Sequence, residues 1–306
     1  MTKTTESEAH PVLTPQAILA RLRNVARTYT NVPPNLMLLL YAQQGLLGRL
    51  DASPYADHFV LKGGLSLFVR YRQQSRPTQD IDLAASGTSH DPTQLEQVIR
   101  QICALPLGDG LIFDPTSIKA DAIHEGATYS GVRVSLLARL GGSQQRLQID
   151  VSFGNQITPG PEDASFPAIL LDEAVHLRIY PLETVISEKF AALVEINLAT
   201  TRMKDLHDLL VISEREAISA STLSHALQRS FAARKTPQAG ISPVLNPSFA
   251  TDEGLTKRWN GYRGVTRWAN LPDFGDVMTR LQGFVGPVVL GRRSAGEWDP
   301  RANRWS

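Results

Sequence analysis

Cysteine is almost absent from this sequence, since Cys103 is the single one among 306 residues. One thiol cannot form an intramolecular disulfide or a zinc site built from several cysteines, so disulfide-stapled secreted scaffolds and such zinc modules are excluded. Nowhere do 18 apolar residues follow one another, and the polar opening MTKTTESEAH has no apolar core of a signal peptide. We therefore expect a cytoplasmic protein that does not enter a membrane.

Four motifs that identify common enzyme classes are also missing. The sequence contains no G-x-x-x-x-G-K-[ST] phosphate loop, no H-E-x-x-H helix, no G-x-S-x-G elbow and no G-x-G-x-x-G turn after a strand. These absences argue against P-loop NTPases, zincin proteases, α/β-hydrolases and dinucleotide-dependent dehydrogenases.

The composition is that of an ordinary globular protein, with 42% hydrophobic and 20% charged residues, and the length allows two domains. The net charge of +1 conceals an uneven distribution along the chain. Residues 1–50 carry a net +3, residues 51–228 a net −8 and residues 229–306 a net +6. The pattern predicts cation-binding carboxylates in the middle and polyanion-binding ends, although chance scatter on a solvated surface gives the same numbers.

The pattern of apolar residues predicts an α+β fold in four segments. We expect N-terminal helices over 1–57 that pack on the core, a mixed sheet flanked by helices over 58–175, a helical domain over 176–290, and an extended or disordered tail over 291–306. The expected strands are 58–61, 79–83, 129–140 and 146–153, and the main expected helices are 14–26, 36–50, 65–71, 92–104, 181–199, 201–212, 221–235, 252–263 and 273–285.

Two aspartates alternate along one predicted strand. Asp80 and Asp82 are two residues apart, so their carboxylates lie on one face of the strand, about 6.5 to 7 Å apart at the backbone. Carboxylates held this close repel unless a cation sits between them, and carboxylate oxygens together with phosphates are ligands that Mg²⁺ prefers. The alternative interpretation is a solvated strand edge.

A pair of glycines precedes these aspartates. Gly63 and Gly64 allow close backbone approach, and the helix that starts there offers N–H groups to an anion. Ser66 adds a hydroxyl that can reach a phosphate. A plain turn is the alternative, but the order of glycine turn, helix and Asp-x-Asp strand favours a site for a nucleoside triphosphate with Mg²⁺.

Asp150 is the candidate third carboxylate. It lies between the apolar residues Ile149 and Val151 in a predicted strand, and a neighbouring strand can bring it beside Asp80 and Asp82. There it would share a metal and help to deprotonate an attacking hydroxyl. The alternative is an aspartate on a solvent-facing strand.

Charged residues also occur on two predicted helices of the second half. Lys189 follows the apolar Val185 and Ile186 on a buried stripe, where an ammonium group needs an anionic partner such as a triphosphate. An ion pair with a nearby glutamate or a snorkelling side chain is the alternative. Asp205 and Asp208 share one helix face and would orient Lys189 or Arg202, or bind the nucleotide sugar and base; an ion pair with Arg202 is the alternative for Asp205.

Together these motifs resemble the AbiEii family of nucleotidyltransferase toxins, within the DNA polymerase β-like nucleotidyltransferase superfamily. The resemblance is carried over about residues 60–210 by KGGLSL from Lys62, by RPTQDIDL from Arg76, by YPLETVISEKFAAL around Lys189, and by RMKDLHDL from Arg202. One position differs, because Leu65 stands where the family usually has serine or threonine and Ser66 follows it. The resemblance implies nucleotide binding by Lys62, Gly63, Gly64, Ser66, Arg76, Lys189 and Asp205, metal binding by Asp80, Asp82 and Asp150, and catalytic roles for these three aspartates with Lys189 and Asp208.

The resemblance also implies a function and partners. It implies a toxin of a toxin–antitoxin or phage-defence system that adds nucleotides from an NTP to the 3′ acceptor end of tRNA, with one or more Mg²⁺ ions, most simply two. The modification would block translation until a cognate antitoxin neutralises the toxin. The alternatives are nucleotidylation of a protein hydroxyl and a binding protein that keeps the fold without catalysis.

The basic C-terminal segment fits an RNA partner. Its arginines are interleaved with the aromatic residues Trp259, Tyr262 and Trp268, a combination that suits phosphate contact and base stacking. An ordinary basic surface is the alternative. The predicted RNA-binding residues are Arg258, Arg263, Arg267, Arg292 and Arg293.

Thr78 suggests a means of control. On an extended strand Thr78 lies on the same face as Asp80, so a phosphate on Thr78 would place up to two negative charges beside the metal carboxylates. We expect that this modification blocks triphosphate binding.

Overall fold

A computed structural model describes residues 13–29, 34–72, 75–125, 129–170, 174–266 and 271–306. The helices are α1 (Pro15–Ala26), α2 (Pro34–Asp51), α3 (Gly63–Tyr71), α4 (Pro92–Cys103), α5 (Leu182–Ile196), α6 (Met203–Arg215), α7 (Ala220–Arg234), α8 (Ile241–Leu245), α9 (Pro247–Ala250), α10 (Glu253–Val265) and α11 (Phe274–Val289). The strands are β1 (Phe59–Lys62), β2 (Ile81–Ala85), β3 (Ile112–Phe113), β4 (Lys119–Glu125), β5 (Tyr129–Leu140), β6 (Ser143–Phe153), β7 (Glu162–Phe166), β8 (Val175–Ile179), β9 (Trp298–Asp299) and β10 (Arg304–Trp305).

The N-terminal helices begin where the sequence predicts. The Thr14 hydroxyl caps α1 by accepting a hydrogen bond from the Ala17 amide, and proline occupies the first helical position. In α2 the run from 39 to 50 is buried on every face, because this helix lies between the sheet, α1 and α4. No helix among the described residues is both long and apolar enough to cross a membrane.

One mixed sheet forms the centre of the first half. Its strand order is β3-β5-β6-β2-β1-β8-β7, with β4 paired to β5. β2 runs parallel to β6 and antiparallel to β1, and β8 pairs in parallel with β1. The predicted mixed sheet, flanking helices and C-terminal helical part are confirmed. The prediction missed β3, β4, β7 and β8, and β8 carries the sheet beyond residue 175 into the segment expected to be helical.

Side-chain alternation assigns the two faces of the sheet to different partners. Phe59 and Leu61 in β1 pack into the core that α2 covers, whereas Val60 joins the core of the C-terminal helices. In β2, Leu83 belongs to the first core and Ala84 to the second. Residues that alternate with the first core, Asp82 among them, therefore face the helical part of the chain.

The C-terminal tail packs against the helical part. Trp298 is 1% exposed, and its indole donates to the Ser213 carbonyl at 2.7 Å. The Trp305 indole donates to the Phe284 carbonyl at 3.0 Å, and β9 pairs with β10. The segment expected to be extended or disordered consists of turns and the two short strands β9 and β10. Indole burial orders this segment, and such packing leaves no periodic pattern in so short a sequence.

Candidate active site

Charged side chains form a row across four neighbouring strands. Lys62 in β1 stands opposite Asp82 in β2, Asp82 stands beside Asp150 in β6, and Asp150 stands opposite Arg133 in β5. Neighbouring strands lie about 4.8 Å apart, so each charge is adjacent to the next. The predicted meeting of Asp82 with Asp150 is thus present in the sheet. Asp80 lies one residue before β2, which begins at Ile81 instead of Gln79.

Two carboxylates at this site, Asp82 and Asp80, are costly to ionise. Burial is the main cause that raises the pKa of Asp82, to about 6; Lys62 opposes the rise, and Asp150 and Asp80 add to it. Burial, followed by Asp150, also raises the pKa of Asp80. Burial and the neighbouring carboxylates therefore make ionised Asp82 and Asp80 unfavourable, and a bound cation would lower the energy of the ionised site.

The donor atoms of the row suit magnesium. All three aspartates offer hard oxygen ligands, although no group of three acidic, histidine or cysteine side chains in the described residues is close enough to enclose an ion. Mg²⁺ is usually held by one or two carboxylates together with substrate phosphates and water, so Asp80 and Asp82 fit this ion. Asp150 is held by Arg133 through two hydrogen bonds of 2.8 Å, and Gln148 donates to it at 3.3 Å.

The glycine pair lies against the aspartates at the start of α3. Gly63 has a φ of +66°, and a Cβ there would come within 1.9 Å of the Asp82 carboxylate. A Cβ on Gly64 would come within 3.0 Å of the Thr78 hydroxyl and 3.1 Å of the Arg76 guanidinium. Ser66 is 1% exposed and donates to the Gly63 carbonyl at 2.8 Å, so its hydroxyl stabilises the helix start inside the protein.

We expect Gly63→Ala to reduce both stability and nucleotide transfer. The new methyl group would require an unfavourable positive φ and would displace the Asp82 carboxylate, with a cost of about 2 to 4 kcal/mol. Chemical denaturation and a transfer assay would measure the two losses. Gly283→Ala is the matched control, because Gly283 lies in α11 with open space around it. Wild-type behaviour of Gly63→Ala would contradict the close approach described here.

A ladder of buried ion pairs faces the row from the helical part. Lys189 in α5 contacts Asp205 at 2.6 Å and Asp208 at 2.8 Å, both in α6. Arg202 pairs with Asp205, and Arg76 holds both Asp208 oxygens at 2.9 Å. Asp205 and Asp208 thus orient Lys189, as one of the predicted alternatives has it. The ladder ties α5, α6 and the segment before β2 together.

The ladder sets the charge states of its members. Burial alone would raise the pKa of Asp205 and of Asp208, but Lys189 with Arg202 or Arg76 lowers both below their usual values. Burial would lower the pKa of Lys189, whereas the two aspartates raise it. All three groups are therefore charged at neutral pH. Burial holds the pKa of His207, between the aspartates, at about 4, so this imidazole is neutral.

Two cavities open beside the ladder. One, of about 500 Å³, is lined by Lys62, Gly63 and Asp82 and by residues of α5 that include Glu188, Lys189 and Glu195. The second, of about 510 Å³, lies between the start of α6 and α10. Arg202 and Asp205 line both cavities, which places the second cavity next to the first. Its lining residues are Thr201, Arg202, Met203, Lys204, Asp205, Arg258 and Tyr262.

Comparison with known proteins identifies the family. The family model described as nucleotidyl transferase AbiEii toxin, type IV TA system, matches residues 45–279, which is more than half of the chain and includes the whole site. The chain belongs to the AbiEii family. This AbiEii protein therefore belongs to a family of nucleotidyltransferase toxins whose type IV toxin–antitoxin systems imply an antitoxin partner.

Two solved structures are similar to this AbiEii protein. A Helicobacter pylori protein described as a candidate nucleotidyltransferase matches with a TM-score of 0.50 and 15% identity, over 85% of this chain and 97% of that one. JHP933 from Helicobacter pylori matches with a TM-score of 0.46 and 15% identity, over 81% and 89% of the two chains. No curated protein matches the sequence. At this identity the first match shows the fold alone.

The arginines predicted to bind RNA are spread over the surface of the AbiEii protein. Arg258 lies at the rim of the second cavity, Arg263 pairs with Asp273, Arg293 donates to the Ser306 carbonyl, and Arg292 is exposed. Trp259 is 0% exposed, so its predicted stacking on a base is wrong; its indole donates to Pro272 in the core. Arg267 and Trp268 lie outside the described residues.

Several contacts of the AbiEii site are not predicted from the sequence. Gln43, fully buried in α2, donates to the Gln79 carbonyl at 2.8 Å and so fixes the backbone next to Asp80. Arg133 faces Asp150 from a strand on which it is one of several alternating polar residues. Gln43 could have been found in the sequence, because it is a polar residue inside the apolar run MLLLYAQQGLLG. The partner of Arg133 could not, because it depends on the register of the strands.

Proposed function

We propose that this AbiEii protein transfers nucleotides from an NTP to the 3′ acceptor end of tRNA in the cytoplasm, in a Mg²⁺-dependent reaction that blocks translation and is neutralised by a cognate antitoxin. The single observation that carries the proposal is the cavity of about 500 Å³ that has Lys62, Gly63 and Asp82 from the strand side in its wall, together with Lys189 and Arg202 from the ladder. A carboxylate close to several cations matches a triphosphate with its metal ions.

Each residue has a proposed role in binding. Asp80, Asp82 and Asp150 would hold two Mg²⁺ ions, which would supply charge neutralisation on the phosphates. Lys62, Lys189 and the amides at Gly63 and Gly64 bind the triphosphate. Ser66, Arg76, Asp205 and Asp208 support this by shaping the glycine turn and orienting Lys189.

The proposed transfer is an in-line displacement at the α-phosphorus. The acceptor hydroxyl oxygen forms a bond to phosphorus, the bond from phosphorus to the β-bridging oxygen breaks, and pyrophosphate leaves with that electron pair. The hydroxyl proton passes to the Asp150 carboxylate and from there to water. Positioning and charge neutralisation provide most of the acceleration, because little covalent chemistry is required of the protein.

The test is incubation with each α-labelled nucleoside triphosphate, Mg²⁺ and total tRNA, for the wild type, Asp80→Ala and Lys189→Ala. We expect labelled tRNA only with the wild type, together with release of pyrophosphate. Label recovered in protein would favour a protein hydroxyl as acceptor. Absence of pyrophosphate release with every acceptor would favour a binding protein without catalysis.

We expect Thr78→Glu to abolish triphosphate binding. The Thr78 hydroxyl lies 3.0 Å from the position of a Cβ on Gly64, so added negative charge would repel the phosphates at the glycine turn. Thr251→Glu is the control, because Thr251 is exposed on a distant segment. Equilibrium binding of a labelled NTP would measure the effect. Full activity of Thr78→Glu and of the stoichiometrically phosphorylated protein would contradict control at this residue.

A further inference from the structure

We infer that the cavity between the start of α6 and α10 binds the 3′-terminal nucleotide of a single-stranded RNA acceptor, separately from the NTP. The inference rests on the proposed nucleotidyltransferase function and assigns the acceptor to one place. The residues that would contact the RNA are Lys204, Arg258 and Tyr262, which line this cavity and not the one beside Lys62 and Lys189.

The first argument is that the two cavities suit two substrates. A transferase must hold donor and acceptor side by side, and each cavity, at about 500 Å³, is large enough for one compact ligand. The cavity with Lys62, Gly63, Asp82 and Lys189 has the groups that a triphosphate needs. The neighbouring cavity shares Arg202 and Asp205 with the triphosphate cavity, so it lies where the second substrate, the acceptor, would have to bind.

The second argument is charge. Three cations line the acceptor cavity: Arg202, Lys204 and Arg258. Its one carboxylate, Asp205, is already paired with Lys189 and Arg202, so the cavity presents an excess of positive charge. The carbonyls of Leu198 and Thr200 anchor the Arg258 Nη1 at 2.9 and 3.3 Å, which fixes this guanidinium at the rim. Phosphodiester groups complement this arrangement.

The third argument is the aromatic wall. Tyr262 lines the cavity, and its hydroxyl lies 2.7 Å from Nδ1 of His207, which holds the ring in place. A base can stack on a fixed aromatic ring whatever the sequence, because every base has a π face. A cavity of this size admits one unstacked nucleotide, not a duplex, so a free strand end is the part of an RNA that fits.

The fourth argument is proximity to the proposed chemistry. The acceptor cavity and the triphosphate cavity share Arg202 and Asp205 in their walls, and Lys62 and Asp82 line the triphosphate cavity. A 3′ hydroxyl entering from the acceptor cavity would meet the α-phosphate where the two cavities adjoin.

The test measures binding and transfer with a fluorescein-labelled single-stranded RNA that ends in a free 3′ hydroxyl. For the Lys204→Ala/Arg258→Ala variant we expect a rise of at least about tenfold in the Kd and KM for RNA, with the KM for NTP changed less than about twofold. The slope of log Kd against log salt should fall by about 0.7 for each phosphate that the variant no longer neutralises. The single variant Lys204→Glu changes only an exposed residue and leaves the contacts of Arg258 intact.

Arg301→Ala is the matched control, since Arg301 is exposed on the tail and lies outside both cavities. An RNA Kd within twofold of wild type for both Lys204 variants, or a higher KM for NTP instead, overturns the inference. If the wild type binds RNA through these residues but transfers no nucleotide, the proposed reaction fails and the binding site stands. If it transfers nucleotides that the variants transfer equally well, the site fails and the reaction stands.

Discussion

Asp82→Asn should reduce nucleotide transfer by about 10³-fold or more while making the folded protein more stable. The loss follows because the variant removes charge from the centre of the row, where a cation and phosphates are proposed to bind. The gain follows because burial, together with Asp150 and Asp80, makes ionised Asp82 unfavourable in the folded state. We expect a gain of about 1 to 3 kcal/mol at pH 7.5 in the absence of metal.

The gain should depend on pH in a defined direction. The folded pKa of Asp82, about 6, is above its ordinary value of 3.8, so the folded state binds the extra proton between those values and wild-type stability falls as pH rises through this window. The stability difference between Asp82→Asn and wild type should therefore vanish below about pH 4 and be complete above about pH 6. Chemical denaturation at a series of pH values measures it.

Two comparisons make this prediction specific. Asp163→Asn, at an exposed position on β7, should change neither transfer nor the pH dependence of stability. Saturating Mg²⁺ should stabilise the wild type and leave Asp82→Asn almost unaffected, because the ion binds the charged carboxylate. A variant that is less stable than wild type at pH 7.5 would show that the Asp82 carboxylate stabilises the fold, contrary to this account.

Lys189→Met should destabilise the protein by about 3 kcal/mol and also abolish transfer. Removal of the ammonium group leaves Asp205 and Asp208 with one cation each and takes away the charged contacts of 2.6 and 2.8 Å, so the buried carboxylate oxygens that accepted them lose their donor. The methionine fills most of the vacated volume, so the loss reports charge and not a cavity. Thermal or chemical denaturation gives the magnitude.

A second substitution tests the cause. Lys189→Met/Asp205→Asn should recover part of the lost stability, because it removes one of the two carboxylates that Lys189 neutralised. Transfer should stay absent in the double variant. Lys257→Met, at an exposed position of α10, controls for loss of a lysine without burial. If Lys189→Met alone is as stable as wild type, the ladder does not require Lys189.

The sequence predicts which residues form the site better than it predicts the contacts between them. Asp82, Asp150 and Lys189 can be recognised in the sequence because a charged residue within a buried apolar pattern requires a partner of opposite charge or a ligand. The Asp150–Arg133 and Asp208–Arg76 pairs are not recognisable, since each joins segments whose relative position depends on strand register or on packing of the helical part. β7 was missed because its polar residues interrupt the alternation and its state depends on pairing at the sheet edge. β8 does alternate, but it is five residues long and directly precedes α5 in the segment expected to be helical.

The alternation of side chains in β1 and β2 limits how these strands can change in length. Insertion or deletion of one residue ahead of Asp82 would turn the carboxylate toward the core beneath α2 and turn Leu83 toward the helical part. Such a change would damage the core and the site together, so we expect neither strand to accept insertions. The Gly141–Gly142 turn between β5 and β6 has open space around Gly142 and lies at the opposite end of β6 from its pairing with β2, so length changes there are the ones this sheet can absorb.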